Sequence, residues 1–215
     1  MKGTFLTMRH CYSRLPLAFT LAVAACAPQG QDEADQPPDE QIDSPPVVAF
    51  QTSLGRIVME LDRENARETV ANFLLHVRSG FYNGLMFHRV RPGFMIQVGA
   101  LTPDRRKRTS PTFPIVNEAD NGLLNLRGTV AMARTSDPHS ATSEFFINLK
   151  DNPTLDYKAP TALEWGYAVF GRVTEGMDIV DAIATSPTER WSIYEAIPLD
   201  PIVIDSAFVV VEPTG

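Results

Sequence analysis

The chain has 215 residues, 44% of them hydrophobic, and a formal net charge of -7. That length fits one ordinary domain with a single buried core rather than two large ones. The acidic balance excludes a general nucleic-acid binder, because neutralising phosphates needs clustered cations; the dense basic run Asp104-Arg105-Arg106-Lys107-Arg108 reads as a solvated loop.

At the N-terminus, Lys2, Arg9 and Arg14 precede an apolar stretch from Leu15 to Ala25 that only Pro16 and Thr20 interrupt. This is the charged-then-apolar layout of an export signal, too short to span a bilayer. Met8 is an equally workable start. The stretch ends in Val23-Ala24-Ala25-Cys26, which resembles the bacterial lipobox, in which a small residue precedes a cysteine that is lipidated and becomes the mature N-terminus. An ordinary cleavage site beside a chance cysteine is the alternative. On the first reading residues 1–25 are a lipoprotein signal peptide and Cys26 is the lipidation site. With Cys11 removed and Cys26 acylated, no free thiol remains and no disulfide can form. Several acyl chains on Cys26 hold a membrane better than one, each buried methylene adding about 0.8 kcal/mol.

From Pro28 to Pro46 the chain carries six acidic residues, no basic ones and one large apolar residue, Ile42. Such a segment cannot bury enough surface to fold. With its prolines and self-repulsion it reads as a disordered, extended tether, so that residues 26–46 hold residues 47–215 off a membrane surface.

The folded part opens with two β-rich runs, Val47 to Gln51 and Ile57 to Leu61, joined by Thr52-Ser53-Leu54-Gly55-Arg56 as a hairpin. Between Glu68 and Gly80 the period changes. Val70, Phe73, Leu74 and Val77 fall at i, i+3, i+4 and i+7, one face of a helix, with Gly80 placed to end it and Asn65 or Thr69 to cap its start. Short β-type runs follow around 86–91, 94–98, 129–133, 145–149 and 168–173. A second helix fits 176–184, with Ile179, Val180 and Ile183 on its apolar side, and a β-rich segment from Ile202 to Val211 closes the chain. Many short strands with two helices point to a mainly β barrel or sandwich, since closure removes exposed edges.

Phe87-His88-Arg89-Val90-Arg91-Pro92-Gly93-Phe94-Met95-Ile96-Gln97 resembles the signature of the cyclophilins. Three further blocks occur in that family's order: 128–133, Ser143-Glu144-Phe145-Phe146-Ile147, and 168–173 followed by Glu175-Gly176-Met177. The similarity covers Val47 to Val211, and the stretches 81–84 and 117–122 look like the bacterial exported branch. The resemblance implies a closed eight-stranded antiparallel β-barrel capped by two α-helices, with the active site on its outer face. It also implies peptidyl-prolyl cis/trans isomerase activity on proline-containing polypeptides, in a monomer facing the periplasm or another extracytoplasmic space.

Rotation about a prolyl bond crosses a barrier of about 18 to 20 kcal/mol because amide resonance must be lost. No bond breaks, so the reaction needs no nucleophile, metal or cofactor, only a site that prefers the twisted amide. In that state the prolyl nitrogen becomes pyramidal and its lone pair can accept a hydrogen bond. By the resemblance Arg89 is the catalytic donor, a permanently charged planar guanidinium. Phe94, Met95, Phe146 and Leu155 match the apolar pocket for the proline ring, and Tyr167 is placed with them. Gln97 matches the polar group that binds substrate and orients the arginine, while Ala133 and Arg134 match the stretch that pairs with the residue before proline. His88 reads as a buried structural histidine, and His76 and His139 lack partners at metal-ligand spacing.

Three departures stand out. Glu144 replaces the family's usual glutamine, so a group that donates and accepts becomes one that, ionised, only accepts; it is expected to pair with Arg89 or Arg134 and alter turnover. Thr154 stands where many eukaryotic members have tryptophan, which should weaken cyclosporin-type ligands, and neither Trp165 nor Trp191 matches that position. Val98 replaces the first glycine after Gln97, implying a locally different backbone. An alternative reading keeps the fold without turnover: a module that holds proline-containing segments of an envelope partner, with Glu144 as its mark. A serine hydrolase lacks any nucleophile-elbow motif.

Overall fold

The computed structural model describes residues 44–212. The expected signal peptide, Cys26 and all but the last three residues of the expected tether lie outside the described residues. The expected start of the domain coincides with the first strand, β1 (Val47–Thr52), which turns tightly into β2 (Gly55–Leu61) in the hairpin the sequence implies.

Eight strands form one antiparallel sheet. In chain order β1 and β2 are followed by β3 (Arg89–Arg91), β4 (Met95–Val98), β5 (Thr129–Met132), β6 (Phe145–Asn148), β7 (Val169–Glu175) and, last, β10 (Ile204–Val211), in the spatial order β10-β1-β2-β7-β5-β6-β4-β3. The ladder leaves β10 and β3 as its two ends. Between them run Phe87 N to Ile202 O, Ile204 N to Leu85 O and the single bridge Met86–Val203, so the expectation of a closed barrel reduces to a curled eight-stranded sheet with a bridged seam. The run expected at 86–91 is accordingly regular only from Arg89 onward.

Helix α1 (Arg67–Arg78) buries the four apolar residues of the i, i+3, i+4, i+7 pattern, and Gly80 follows it with φ 69°, a conformation that suits glycine. Its start differs from expectation. Neither Asn65 nor Thr69 caps it; Glu118 does, from some fifty residues along the chain, its carboxylate accepting from the Glu68 N–H at 3.0 Å and from the Thr69 N–H at 2.8 Å. A carboxylate there also meets the positive end of the helix dipole. Helix α2 (Met177–Ala184) buries Val180 and Ile183 against the main core, with Ile179 partly buried.

Period-two alternation divides the apolar side chains between two faces. Inward, Phe50, Phe73, Tyr82, Phe145 and Phe170 make a connected aromatic cluster with centroids between 5.1 and 6.4 Å apart. Outward, Met95, Ala131, Phe146 and Val169 form a separate cluster. Val98 simply continues β4 with its side chain in the inner core, and the departure from regularity falls on Gly99, where φ is 110° and a Cβ would lie 2.4 Å from Ser143 O.

A second sheet was not expected. β8 (Thr188–Trp191) and β9 (Tyr194–Pro198) form a hairpin whose first strand is largely exposed and sets Glu189 and Arg190 side by side, so no apolar period marks it. It packs beside β3, placing Tyr194 edge-on to His88 with ring centroids 5.7 Å apart.

Candidate active site

The outer face of the sheet carries one row of directly opposed residues on five neighbouring strands. Arg89 on β3 faces Gln97 on β4, Gln97 faces Phe146 on β6, Phe146 faces Ala131 on β5, and Ala131 faces Val169 on β7. Cationic donor, amide and apolar floor thus follow one another across the sheet because side chains opposite in register share a face.

Around this row the apolar pocket assembles. Met95, Phe146, Ala131 and Val169 are its buried base, and Phe94, Leu123, Ala133, Leu155 and Tyr167 pack against them partly exposed. Phe146 and Tyr167 meet edge-to-face at 5.7 Å. Arg134 lies over the Tyr167 ring, 4.8 Å from its centroid, and its guanidinium donates to the carbonyls of Gly166, Thr135 and Ala162. It therefore stiffens the rim, and its charge is committed to backbone rather than to Glu144.

Arg89 is half-buried at the edge of this pocket. Among the described residues its one hydrogen bond runs from Nη1 to Gln97 Oε1 at 3.3 Å, which leaves further N–H groups of the planar cation for another acceptor. Burial and the charge of Arg91 lower its pKa from the ordinary arginine value, against the opposing influence of Glu195 and Tyr167. The Gln97 amide then donates from Nε2 to Glu144 Oε2 at 2.8 Å, and the same oxygen lies 3.3 Å from Nε2 of buried His88. Glu144 contacts neither Arg89 nor Arg134, contrary to expectation. The reason is reach: Glu144 sits just before β6, behind Gln97, and Gln97 fills the space between carboxylate and guanidinium.

The backbone around Glu144 is fixed from three sides. Tyr82 Oη donates to Ser143 O at 3.0 Å, Ser143 Oγ donates to Gly99 O at 3.0 Å, and the Ala133 N–H donates to Glu144 O at 2.9 Å. Below the pocket, three buried asparagines form a network that the sequence reading did not identify. Asn152 Nδ2 donates to Asn148 Oδ1 at 2.7 Å and to Phe94 O at 3.0 Å, Asn148 Nδ2 to Asn125 Oδ1 at 3.2 Å, and Asn125 Nδ2 to Leu155 O at 3.1 Å. Two pocket walls, Phe94 and Leu155, hang on it.

The structure thus gathers Arg89, Phe94, Met95, Gln97, Ala133, Arg134, Glu144, Phe146, Leu155 and Tyr167 at one place and adds Ala131, Leu123 and Val169. Alternation from Phe146 could have found Ala131 and Val169; Leu123 lies in a loop with no such signal. Thr154 is exposed beside Leu155, while Trp165 packs on His139 and Trp191 under Arg105, both outside the apolar cluster. A groove of about 880 Å³ shares Leu123 and Val169 with the pocket but is lined beyond them by groups such as Glu60, Arg67 and Arg172. Arg89 and Gln97 do not line it, so the chemistry belongs to the apolar cluster around Phe146. No group of three or more His, Cys, Asp or Glu side chains converges among the described residues. No helix there is long and apolar enough to cross a membrane.

An apolar cluster with a fixed cation at its edge can seat a small ring and offer a hydrogen bond to an atom beside it. Comparison with known proteins agrees. The family model described as cyclophilin type peptidyl-prolyl cis-trans isomerase matches residues 47–209. The chain is 56% identical over 160 residues to peptidyl-prolyl cis-trans isomerase cyp18 of Streptomyces antibioticus, covering 74% of this chain and 96% of that protein. It is 47% identical over 163 residues to peptidyl-prolyl cis-trans isomerase B of Escherichia coli, covering 76% and 99%. A crystal structure of a Cryptosporidium parvum cyclophilin type isomerase superposes with a TM-score of 0.63 at 23% identity, over 78% of this chain and 99% of that one.

Proposed function

Given that this chain belongs to the cyclophilin-type peptidyl-prolyl cis-trans isomerase family and is an enzyme that accelerates rotation about X-Pro peptide bonds, we propose that Arg89 is its catalytic donor. The row Arg89–Gln97–Phe146 carries this reading: a proline ring resting on Phe146 and Met95 puts its nitrogen on the side of the pocket from which the guanidinium projects. Planar amide nitrogen is a poor acceptor, and the twisted one is a good one, so the donor favours the transition state over both ground states. The Ala133–Arg134 backbone is the edge along which the residues before proline lie extended. Exchange spectroscopy on an Ala-Pro peptide, with and without the protein, measures the activity directly.

The alternative of a binding module without turnover took Glu144 as its mark, but relatives 47–56% identical to this chain are named peptidyl-prolyl cis-trans isomerases. The carboxylate engages Gln97 and His88.

The enzyme is further proposed to act on exported polypeptides from a lipid anchor at Cys26, within the cell envelope. The support is the order of segments: a signal-like stretch over 1–25, the lipobox-like Ala24-Ala25-Cys26, and an acidic Pro-rich run up to Pro46. Incorporation of labelled palmitate, and its loss with release of the protein from membranes in Cys26→Ser, tests this. A Cys26→Ser protein that stays membrane-bound contradicts it.

A further inference from the structure

We infer that Glu144 is a positioning residue, holding the Gln97 amide in the one orientation that turns its oxygen toward Arg89. The inference rests on the reading of Arg89 as the donor to the prolyl nitrogen.

The amide of Gln97 bridges two very different neighbours. Toward β3 it meets a guanidinium, which can only donate. Toward the start of β6 it meets Glu144, which when ionised can only accept. One orientation satisfies both, with Oε1 on Arg89 at 3.3 Å and Nε2 on Glu144 Oε2 at 2.8 Å. The flipped amide would set oxygen against carboxylate and NH2 against guanidinium, losing both bonds. A glutamine at 144 lacks this discrimination, because its own amide can turn to donate or accept and so fits either orientation.

The carboxylate is itself kept in place and charged. Burial alone would raise its pKa, but the hydrogen bond and charge of His88, the Gln97 hydrogen bond and the charge of Lys107 outweigh burial and hold it below the ordinary value. Burial, and after it the charge of the same carboxylate, push up the pKa of Tyr194 from the β8–β9 hairpin. His88 Nε2 lies 3.3 Å from the same Glu144 oxygen, and its Nδ1 is a buried atom without a hydrogen-bond partner among the described residues. A buried histidine with one ring nitrogen left unpartnered carries a cost. That cost is explained if the other nitrogen is needed to anchor Glu144. The chain His88–Glu144–Gln97–Arg89 therefore runs from the interior to the reacting atom with a single consistent direction of hydrogen bonds at Gln97. It moves no proton; it restricts the guanidinium to the direction in which its remaining N–H groups face the pocket.

The test uses the full chain as wild type, Glu144→Gln, Gln97→Ala, the double variant and Arg89→Ala. For each, the cis/trans exchange rate of a saturating Ala-Pro peptide and the peptide's dissociation constant are measured separately. The side-chain amide signals of Gln97 are followed by 15N NMR. Glu144→Gln is expected to slow saturated exchange about threefold to tenfold, the range one ordinary intramolecular hydrogen bond commands, while affinity stays within about twofold. The Gln97 amide signals should move toward an averaged position. In the Gln97→Ala background the same substitution should have no further effect on exchange, since the path to Arg89 is gone. An unchanged rate in Glu144→Gln, equal losses of rate and affinity, or an undiminished loss in the Gln97→Ala background would overturn the inference while Arg89→Ala remains inactive. Full turnover in Arg89→Ala would instead overturn the donor reading, and with it the purpose assigned to Glu144.

Discussion

Phe145 and Phe146 are adjacent in sequence and stand on opposite faces of β6. Phe145 is in ring contact with Phe50, Phe73, Tyr82 and Phe170 in the inner core, whereas Phe146 lies on the outer face against Tyr167. Their truncations should therefore separate stability from binding. Phe145→Ala should lose about 3–5 kcal/mol in denaturant unfolding, the usual cost of emptying an aromatic core position. Phe146→Ala should lose less stability but weaken an X-Pro peptide about tenfold in an NMR titration, as expected from exposing part of a small apolar ring.

The buried asparagine network couples the pocket walls to the fold. Replacing Asn148 by alanine leaves the Asn152 amide and the Asn125 carbonyl short of partners in an enclosed site. The expected loss is about 1–3 kcal/mol in unfolding experiments. Phe94 and Leu155 should also show shifted, broadened NMR signals while Arg89 is unaffected. A neutral effect on both would mean that the network is dispensable.

Glu118 holds the first turn of α1 across a long sequence separation. Glu118→Ala should destabilise the protein by about 1–2 kcal/mol, with Glu118→Gln in between because an amide oxygen can still accept one bond but brings no charge. Helix-selective hydrogen exchange should show the loss at Glu68 and Thr69 first.

Buried His76 sets a pH dependence of stability. Its Nδ1 donates to Asn72 O at 2.7 Å and its Nε2 accepts from Ser110 Oγ at 2.9 Å. Burial lowers its pKa below the ordinary 6.5, and the Asn72 bond opposes this only in part. The unfolded chain then binds the proton at a higher pH than the fold does. Its contribution is full above pH 6.5 and declines as pH falls from there toward the folded pKa, where the unfolded state holds more protons. Unfolding free energies measured across this window should slope less in His76→Phe than in wild type; identical slopes would contradict the assignment.

Much of this arrangement was legible in the residues because it depends on period and on motif. The i, i+3, i+4, i+7 set of α1 is a local pattern and falls on the buried face. The blocks around Arg89, Phe146 and Tyr167 are contiguous, so a resemblance could carry them. What was missed depends on distance along the chain. Glu118 caps a helix fifty residues away, and nothing near it in sequence says so. The β8–β9 hairpin is stabilised by packing on β3 and by Arg105 with Trp191 and Glu189, not by an apolar alternation of its own. Glu144 stands out in the sequence as the consequential departure, yet its partners follow from the register that sets Gln97 between it and Arg89.

The sharpest test is the exchange rate of an Ala-Pro peptide measured at saturation for wild type and Arg89→Ala, with the folded state of the variant checked by its amide spectrum. If the guanidinium stabilises the twisted amide, exchange should fall by about two to three orders of magnitude, the loss typical of removing one transition-state donor, while the peptide still binds. Wild-type exchange by a folded Arg89→Ala protein would contradict it.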